Sequence, residues 1–165
     1  MKRYSSLTPV LSGLAILAFC LSMAPSAWAG EAIVVIVNSA NPVENLSLGD
    51  LKKLFLGDKG RWDTGKAVAP VMVAGGAPER AAFLKIVCGM SDADMGKYFM
   101  QAAFTGKSVT PPKDVGSAAA VKNMVSTSPG AIGFVKASDF PGGAGIKAVK
   151  IDGVDASDAG YKIKM

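Results

Sequence analysis

Short apolar runs alternate with turn-forming residues along most of the chain, and this pattern predicts strands separated by helices. Glu31 to Val37 is a continuous β-branched run, which is typical of a strand covered on both faces in a parallel sheet. Three further runs predict strands at residues 68 to 73, 131 to 135 and 146 to 151. Asp152-Gly153 then predicts a two-residue hairpin turn into Val154.

Four helices are predicted between these strands from apolar spacing and end signals. Ser47 and Asp50 have the spacing of a capping box, and Gly57 suits the end of the same helix. Pro78 suits the first position of the next helix, because its missing N–H would have no partner there. The predicted helices cover roughly residues 48 to 56, 78 to 88, 92 to 102 and 117 to 126, and residues 105 to 114 are predicted as an extended loop. Strands alternating with helices predict an α/β fold with a mostly parallel sheet flanked by helices.

The first 29 residues have the pattern of a cleaved secretory signal peptide. Lys2 and Arg3 precede an apolar run from residue 10 to 23, and Ala27-Trp28-Ala29 matches a small-x-small cleavage site before Gly30. A transmembrane anchor would need about 20 apolar residues, more than this run has. A lipid anchor on Cys20 is also disfavoured, because lipoprotein signals have a small residue immediately before the cysteine and this chain has Phe19. We therefore expect a periplasmic protein, with residues 30–165 forming a single domain that does not span a membrane.

Composition argues against several functional classes. The chain has no histidine, so Ser-His and Cys-His catalysis and His-containing zinc sites are excluded. Removing Lys2 and Arg3 lowers the formal net charge from +5 to +3, and no Lys/Arg cluster predicts nucleic-acid binding. An enzymatic interpretation would depend on Glu79 or Asp63 as an acid-base group, and nothing in the sequence pairs the two. We expect a non-catalytic protein without cofactor or metal, in which Cys88 is a buried inert thiol.

The segment from Ala69 to Lys85 is the strongest candidate for a ligand site. A predicted strand leads through Gly75 and Gly76 into a helix start, a geometry that can present backbone N–H groups to an anion. In a functional interpretation the glycines allow close backbone approach and Arg80 contributes a positive charge. In the alternative, the glycines form a tight turn, and Glu79 and Arg80 are charges on the helix surface.

Other candidate residues have a structural interpretation that is at least as good as a functional one. Ser39 follows the first strand, at the kind of sheet edge where open α/β proteins bind ligands, but it also suits a turn. Trp62 is expected to close an edge of the domain, and Lys107 to be a solvated charge. Three aspartates recur every third residue near the C-terminus and lack the spacing of a calcium loop: Asp152, Asp155 and Asp158.

Four stretches, in this order and spacing, resemble the second lobe of the phosphate-binding proteins of bacterial ABC importers, which are type 2 periplasmic binding proteins. The resemblance covers roughly residues 33 to 153. The stretches are Val37-Asn38 with Asn41-Pro42-Val43; Asn45-Leu46-Ser47 with Leu51, Leu54-Phe55-Leu56-Gly57 and Trp62; Arg80 with Ala82-Phe83-Leu84; and Ser128-Pro129-Gly130-Ala131-Ile132-Gly133-Phe134.

The resemblance implies a periplasmic solute-binding role, but the phosphate ligands of the family are largely missing. The family's turn reads approximately R-E-x-G-S-G-T-R, and alignment places Val73, Ala77, Pro78 and Glu79 where it has the first Arg and the Ser-Gly-Thr donors. Only Arg80 matches. A helix terminus alone contributes about 0.3–1 kcal/mol to anion binding, whereas micromolar affinity needs about 8 kcal/mol. This turn therefore predicts a weaker or different ligand.

Two functions from different classes remain at this point. The first is a solute-binding protein for a small anionic ligand, with tentative ligand residues Ser39, Gly75, Gly76 and Arg80. Because the family has two lobes and this chain has room for one, a second copy or another envelope protein, such as an ABC permease, would supply the opposing face. The second is an adaptor module for protein–protein interaction or signalling in the envelope, derived from such a lobe.

Overall fold

A five-stranded mixed sheet with the order β4-β3-β5-β1-β6 forms the centre of the protein. A computed structural model describes residues 30–165, so the predicted signal peptide lies outside the described residues. Two short strands, β2 and β7, form a second parallel sheet. The strands are β1 (Ile33–Asn38), β2 (Asn45–Leu46), β3 (Ala69–Val73), β4 (Lys113–Val115), β5 (Ala131–Lys136), β6 (Ile146–Ala148) and β7 (Lys150–Ile151).

Strand direction agrees with the predicted fold class except at β1. β3 runs parallel to both β4 and β5, and β6 points the same way, so four of the five strands share one direction and the sheet is mostly parallel as expected. β1 runs antiparallel to its neighbours β5 and β6, and the prediction that it belongs to a parallel pair was wrong. All six of its residues are buried. An unbroken apolar run indicates that a strand is buried on both faces, but it does not indicate whether the strand is parallel or antiparallel to its neighbours.

The four helices begin and end close to the predicted positions. Ser47 accepts a hydrogen bond from the Asp50 amide at 3.0 Å, and Ser91 and Ser117 cap their helices in the same way. The helix that Pro78 opens continues through one π-helical turn, Leu84–Cys88, and stops at Gly89. The helices are α1 (Leu48–Phe55), α2 (Pro78–Phe83), α3 (Asp92–Phe104) and α4 (Ala118–Thr127).

Two hydrophobic layers cover the two faces of the sheet. The alternating side chains of β1 divide between them, with Val35 in one layer and Ile36 in the other. Helices α1, α2 and α3 pack on the first face, where Phe55, Phe83 and Phe134 are fully buried. Helix α4 packs on the second face. This arrangement is the helix-flanked sheet that the alternating pattern predicts.

Cys88 is buried in the larger of the two layers, as predicted. Its exposed fraction is 2%, and burial raises the pKa of its thiol to about 11, against a weaker opposing effect of Lys52. A thiol with this pKa remains protonated at neutral pH, and the thiolate is the reactive form. The environment of Cys88 is therefore that of an inert core residue.

Two short strands depart from the predicted boundaries. β4 lies at the end of the segment predicted as an extended loop, where three residues pair with β3. The predicted strand at residues 146 to 151 is divided at Val149, so that its first part pairs with β1 and its last part with β2. The hairpin turn after it is as expected, with positive φ at Asp152 and Gly153 and two hydrogen bonds joining Ile151 and Val154.

Candidate functional site

Arg80 links its own helix to three other elements of the fold at the carboxyl end of β3. Its Nη1 donates to the main-chain oxygen of Val73 at 2.8 Å and to Oδ1 of Asp114, on β4, at 2.6 Å. Its Nε donates to Oδ1 of Asp92, the first residue of α3, at 2.8 Å. Arg80, on α2, therefore ties two strands and two helices together through one guanidinium group.

The charge of Arg80 is already balanced within the protein. Its side chain is 10% exposed, whereas those of Asp92 and Asp114 are 46% and 54% exposed. Burial by itself would lower the pKa of Arg80, but hydrogen bonds and charge attraction from Asp114 and Asp92 outweigh burial and raise it. One positive and two negative groups leave a net negative charge at this point. An anion would have to displace a carboxylate from Arg80.

The paired glycines form the turn that makes this contact possible. Gly76 has φ +92°, a backbone conformation that favours glycine. A Cβ atom added at Gly75 would lie 3.0 Å from Oδ2 of Asp92, so a side chain here would require a small shift of that carboxylate. Both glycines lie beside Arg80 as expected, and their geometry fits the tight-turn interpretation.

The start of α2 offers little to an anion. The helix proper has six residues, Pro78 has no N–H, and Ala77 makes no side-chain capping bond. Glu79 and Arg80 are 8% and 9% exposed. The alternative that placed both charges on the helix surface was therefore wrong, because α2 turns this first-turn face into the protein.

Ser39 lies away from the other candidate residues. β1 is antiparallel to β5, and Val37 pairs with Ile132, which also pairs with Pro70 near the start of β3. The end of β1 is therefore at the edge where β3 begins, while Arg80 contacts the residue that ends β3. The structure brings Gly75, Gly76 and Arg80 together and leaves Ser39 at the opposite edge, exposed, with its amide donating to Gly145.

A cavity of about 330 Å³ opens beside Arg80. Asp92 and Asp114 line it together with Arg80, and its other walls are apolar. The apolar residues come from β3, α3 and the segment before β4, and they include Met72, Met95, Phe99, Pro111 and Pro112. The site thus combines polar and apolar surface beside a net negative group, which differs from a cradle for an oxyanion.

The remaining candidate residues have structural partners. Trp62 is 3% exposed and its Nε1 donates to the main-chain oxygen of Gly130 at 2.9 Å, in agreement with a role at the edge of the domain. Lys107 forms a salt bridge with Asp58 at 2.6 Å, and this hydrogen bond is the main cause of the raised pKa of Lys107. The residue was predicted to be a solvated charge, and it instead has a partner within the protein.

The C-terminal aspartates take part in turns and local pairs. Asp152 accepts from the Leu48 amide at the start of α1 and from Lys162. Asp158 accepts from the Asp155 amide in a local turn. Across residues 30–165, no three His, Cys, Asp or Glu side chains gather as they would around a metal ion. The same residues contain no helix long and apolar enough to cross a membrane.

The two aspartates of the site could not be found from sequence. Asp92 reads as an acidic residue in the first turn of α3, and Asp114 lies in a three-residue strand with no distinctive pattern. They are 12 and 34 positions from Arg80 along the chain. The sequence offered one indirect signal: Arg80 lies in an apolar helix pattern, and a charged side chain that is buried needs a partner of opposite charge.

Comparison with known proteins identifies the fold. No protein-family model matches the sequence. An ABC-type phosphate transport receptor from Vibrio cholerae is 22% identical with a TM-score of 0.63, over 78% of this chain and 49% of that one. A Clostridium perfringens chain assigned as a phosphate ABC transporter substrate-binding protein, solved with bound phosphate, is 25% identical with a TM-score of 0.62, over 78% of this chain and 48% of that one.

A third structure agrees with these two. The phosphate-binding protein from Stenotrophomonas maltophilia is 13% identical with a TM-score of 0.56, and 41% of its length is covered. This chain therefore spans about half or less of the proteins that it matches. With its mostly parallel sheet between helices, the chain has the fold of one lobe of the phosphate ABC transporter substrate-binding proteins.

Proposed function

We propose that the chain is a non-catalytic ligand-binding lobe, exported to the periplasm, in which the phosphate site of its structural relatives has been lost. The fold supports a binding role, because the similar structures include a transport receptor and a substrate-binding protein. Export is supported by the signal-peptide pattern of residues 1–29. The opposing face of the site would come from a second copy or from another envelope protein such as an ABC permease.

The pairing of Arg80 with two carboxylates carries the proposal. Arg80 is the one side chain of the aligned turn that matches the family's phosphate donors, and it makes hydrogen bonds to Val73, Asp92 and Asp114. A guanidinium group has five N–H donors in a fixed plane, and three contacts within the protein use Nε and Nη1. The adjacent net negative charge opposes the approach of a phosphate group.

We expect no binding of phosphate or sulfate to the purified protein at millimolar concentration. A ligand present at 1,000 times its Kd would raise the free energy of unfolding by about 4 kcal/mol, which is a rise of many degrees in Tm for a domain of this size. Thermal unfolding with 1 mM phosphate, sulfate or chloride at constant ionic strength measures this directly. The Clostridium perfringens protein in the same assay is the positive control.

A phosphate-specific rise in Tm of several degrees, absent with chloride, would contradict the loss of the phosphate site. Isothermal titration with phosphate then distinguishes one saturable site from a general salt effect. A rise with both oxyanions that disappears as chloride increases would indicate screening of surface charge rather than a site.

One observation favours the adaptor as a second candidate. Met100 and Phe104 lie one turn apart on α3 and are 61% and 85% exposed. An exposed aromatic next to a second large apolar side chain is a common feature of protein contact surfaces. The pair lies near the C-terminal end of α3, away from the turn that contains Gly75 and Gly76.

Replacing Phe104 with serine separates the two candidates. Because Phe104 is mostly exposed, we expect the free energy of unfolding to change by less than about 0.5 kcal/mol. If the adaptor function holds, a photo-crosslinker at position 100 captures a partner in cells carrying wild-type Phe104 and fails with Phe104→Ser. Gln101→Ser is the matched control on the same helix. Equal capture by both variants would argue against an interface at this surface.

A further inference from the structure

We propose that the cavity beside Arg80 binds a small organic cation with an apolar body, such as an aryl-alkyl amine. The inference deepens the proposed function by naming a ligand class for the same site, and it rests on that function only in treating the lobe as a binding module. It follows from the charge of the cavity, the free carboxylate oxygens and the apolar walls.

The carboxylates at the cavity retain unused hydrogen-bonding capacity. Arg80 contacts Oδ1 of both Asp92 and Asp114. Among the residues that the structure describes, none donates to Oδ2 of either one. Both side chains are about half exposed and both residues line the cavity, so a ligand in the cavity can reach the carboxylates. A primary ammonium group has three donors, which suits two carboxylate oxygens and one water.

The electrostatics of the cavity select the sign of the ligand. The Arg80 network has one positive and two negative groups, so a cation brought to it restores neutrality. An anion would meet net repulsion and would compete with two carboxylates that Arg80 already holds. This is opposite to the preference of a phosphate site, in which positive groups and N–H donors converge on the ligand.

The apolar walls select a ligand with a hydrophobic body. Phe99, Pro111 and Pro112 are half-buried or exposed and form the accessible apolar wall, whereas Met72 and Met95 are 0% and 3% exposed and offer almost no surface to a ligand. The aromatic ring of Phe99 can also contact a cation through its face. The volume of about 330 Å³ is at the small end of the range of ligand pockets. These features together fit one ring or a short branched chain carrying an amine.

A matched set of three probes tests the sign and the class of ligand. 2-Phenylethylamine, 2-phenylethanol and phenylacetate share a ring and differ in charge. In NMR titrations of the isotope-labelled protein at low salt, we expect saturable shifts of the Asp92, Gly96 and Asp114 amides with the amine. Affinity should be at least tenfold lower for the alcohol and the acid. Equal affinity for the three probes, or stronger binding of the acid, would overturn the proposal.

Two substitutions place the ligand in the cavity. Asp92→Asn removes one charge but keeps an oxygen that can accept from Arg80, and we expect amine affinity to fall about tenfold. Asp94→Asn is the matched control, because Asp94 lies in the same turn of α3 and is outside the residues that line this cavity. If both variants lose affinity equally, the amine responds to general surface charge and the proposal fails.

A second variant tests the cavity without altering its charge. A Cβ added at Gly96, which lines the cavity in the middle of α3, meets nothing within 4 Å. Gly96→Leu is therefore expected to fold, to fill the space and to abolish amine binding, because leucine also favours a helix over glycine. Ala93→Leu, one turn earlier, is the control, because it adds similar bulk at an exposed residue that does not line the cavity. Retained amine binding by Gly96→Leu would place the ligand elsewhere and overturn the proposal.

The outcomes of the phosphate and amine experiments are independent. Phosphate binding would contradict the proposed loss of the phosphate site whatever the amine does. Absence of both kinds of binding would leave that loss intact and reject the cation site. Amine binding that depends on Asp92 and Gly96, without phosphate binding, is the result that we expect.

Discussion

Replacing Arg80 with methionine is expected to lower the free energy of unfolding by about 3 kcal/mol, although the substitution retains most of the apolar length of the side chain. Loss of one partner from a buried ion pair costs about 3–5 kcal/mol, because the remaining charge is left uncompensated. The lower end applies here, since Asp92 and Asp114 are about half exposed and solvent screens them. The Val73 carbonyl also loses a donor. Urea unfolding monitored by circular dichroism gives the change.

Two further variants identify the origin of this loss. Arg80→Lys keeps the charge but cannot reach three acceptors from a planar group, so an intermediate loss is expected. Neutralising both partners in Arg80→Met/Asp92→Asn/Asp114→Asn removes the repulsion between the carboxylates, and we expect part of the stability to return. Wild-type stability in Arg80→Met would refute the role of Arg80 as a structural link.

This expectation affects how ligand binding by the protein is tested. Arg80 is the residue that alignment with the phosphate-binding proteins would select for mutation. Loss of binding in an Arg80 variant would have two explanations, a missing ligand contact or a rearranged end of β3. Substitutions that leave the ion network in place, such as those at Gly96, separate these explanations.

Replacing Phe134 with alanine is expected to lower the free energy of unfolding by about 3–5 kcal/mol. Phe134, on β5, is 1% exposed and stacks on Phe83 with ring centroids 3.9 Å apart. Phe55 contacts both rings, at 4.7 Å from Phe83 and 5.9 Å from Phe134. The substitution therefore leaves a cavity where α1, α2 and the central strand meet, and it removes aromatic contacts worth about 0.5–1.5 kcal/mol.

The control for this prediction is the same substitution at an exposed ring. Phe104 is 85% exposed, so Phe104→Ala is expected to change the free energy of unfolding by less than about 0.5 kcal/mol. Chemical denaturation of the wild type, Phe134→Ala and Phe104→Ala measures these changes, and equal m values for the three proteins make the comparison valid. A similar small effect at Phe134 would mean that the three rings do not form the packed centre of the domain.

Local patterns were sufficient for most of the secondary structure. The serine caps at residues 47, 91 and 117 mark the starts of three helices, because a side-chain oxygen there satisfies an otherwise free N–H. The Asp152-Gly153 turn was equally predictable from its φ requirements. β4 was missed because three residues after two prolines carry no strand periodicity, and its pairing with β3 stabilises it.

The candidate site was predictable only in part. Gly75, Gly76 and Arg80 lie together because they are neighbours in sequence between β3 and α2. Ser39 was grouped with them on the assumption that β1 ends at the same sheet edge as the parallel strands. Its antiparallel direction places it at the other edge, and a hydrophobic run cannot report this.

The sequence by itself determined most of the helices and strands, the lack of histidine chemistry and the likeness to one lobe of the phosphate-binding proteins. Only the tertiary structure decided which way β1 runs and which groups surround Arg80. Apolar periodicity and helix capping depend on residues close together in the chain, so these patterns are visible locally. An ion pair between residues 34 positions apart depends on the path of the backbone between them. That path made Arg80 a structural link and gave the adjoining cavity its negative charge.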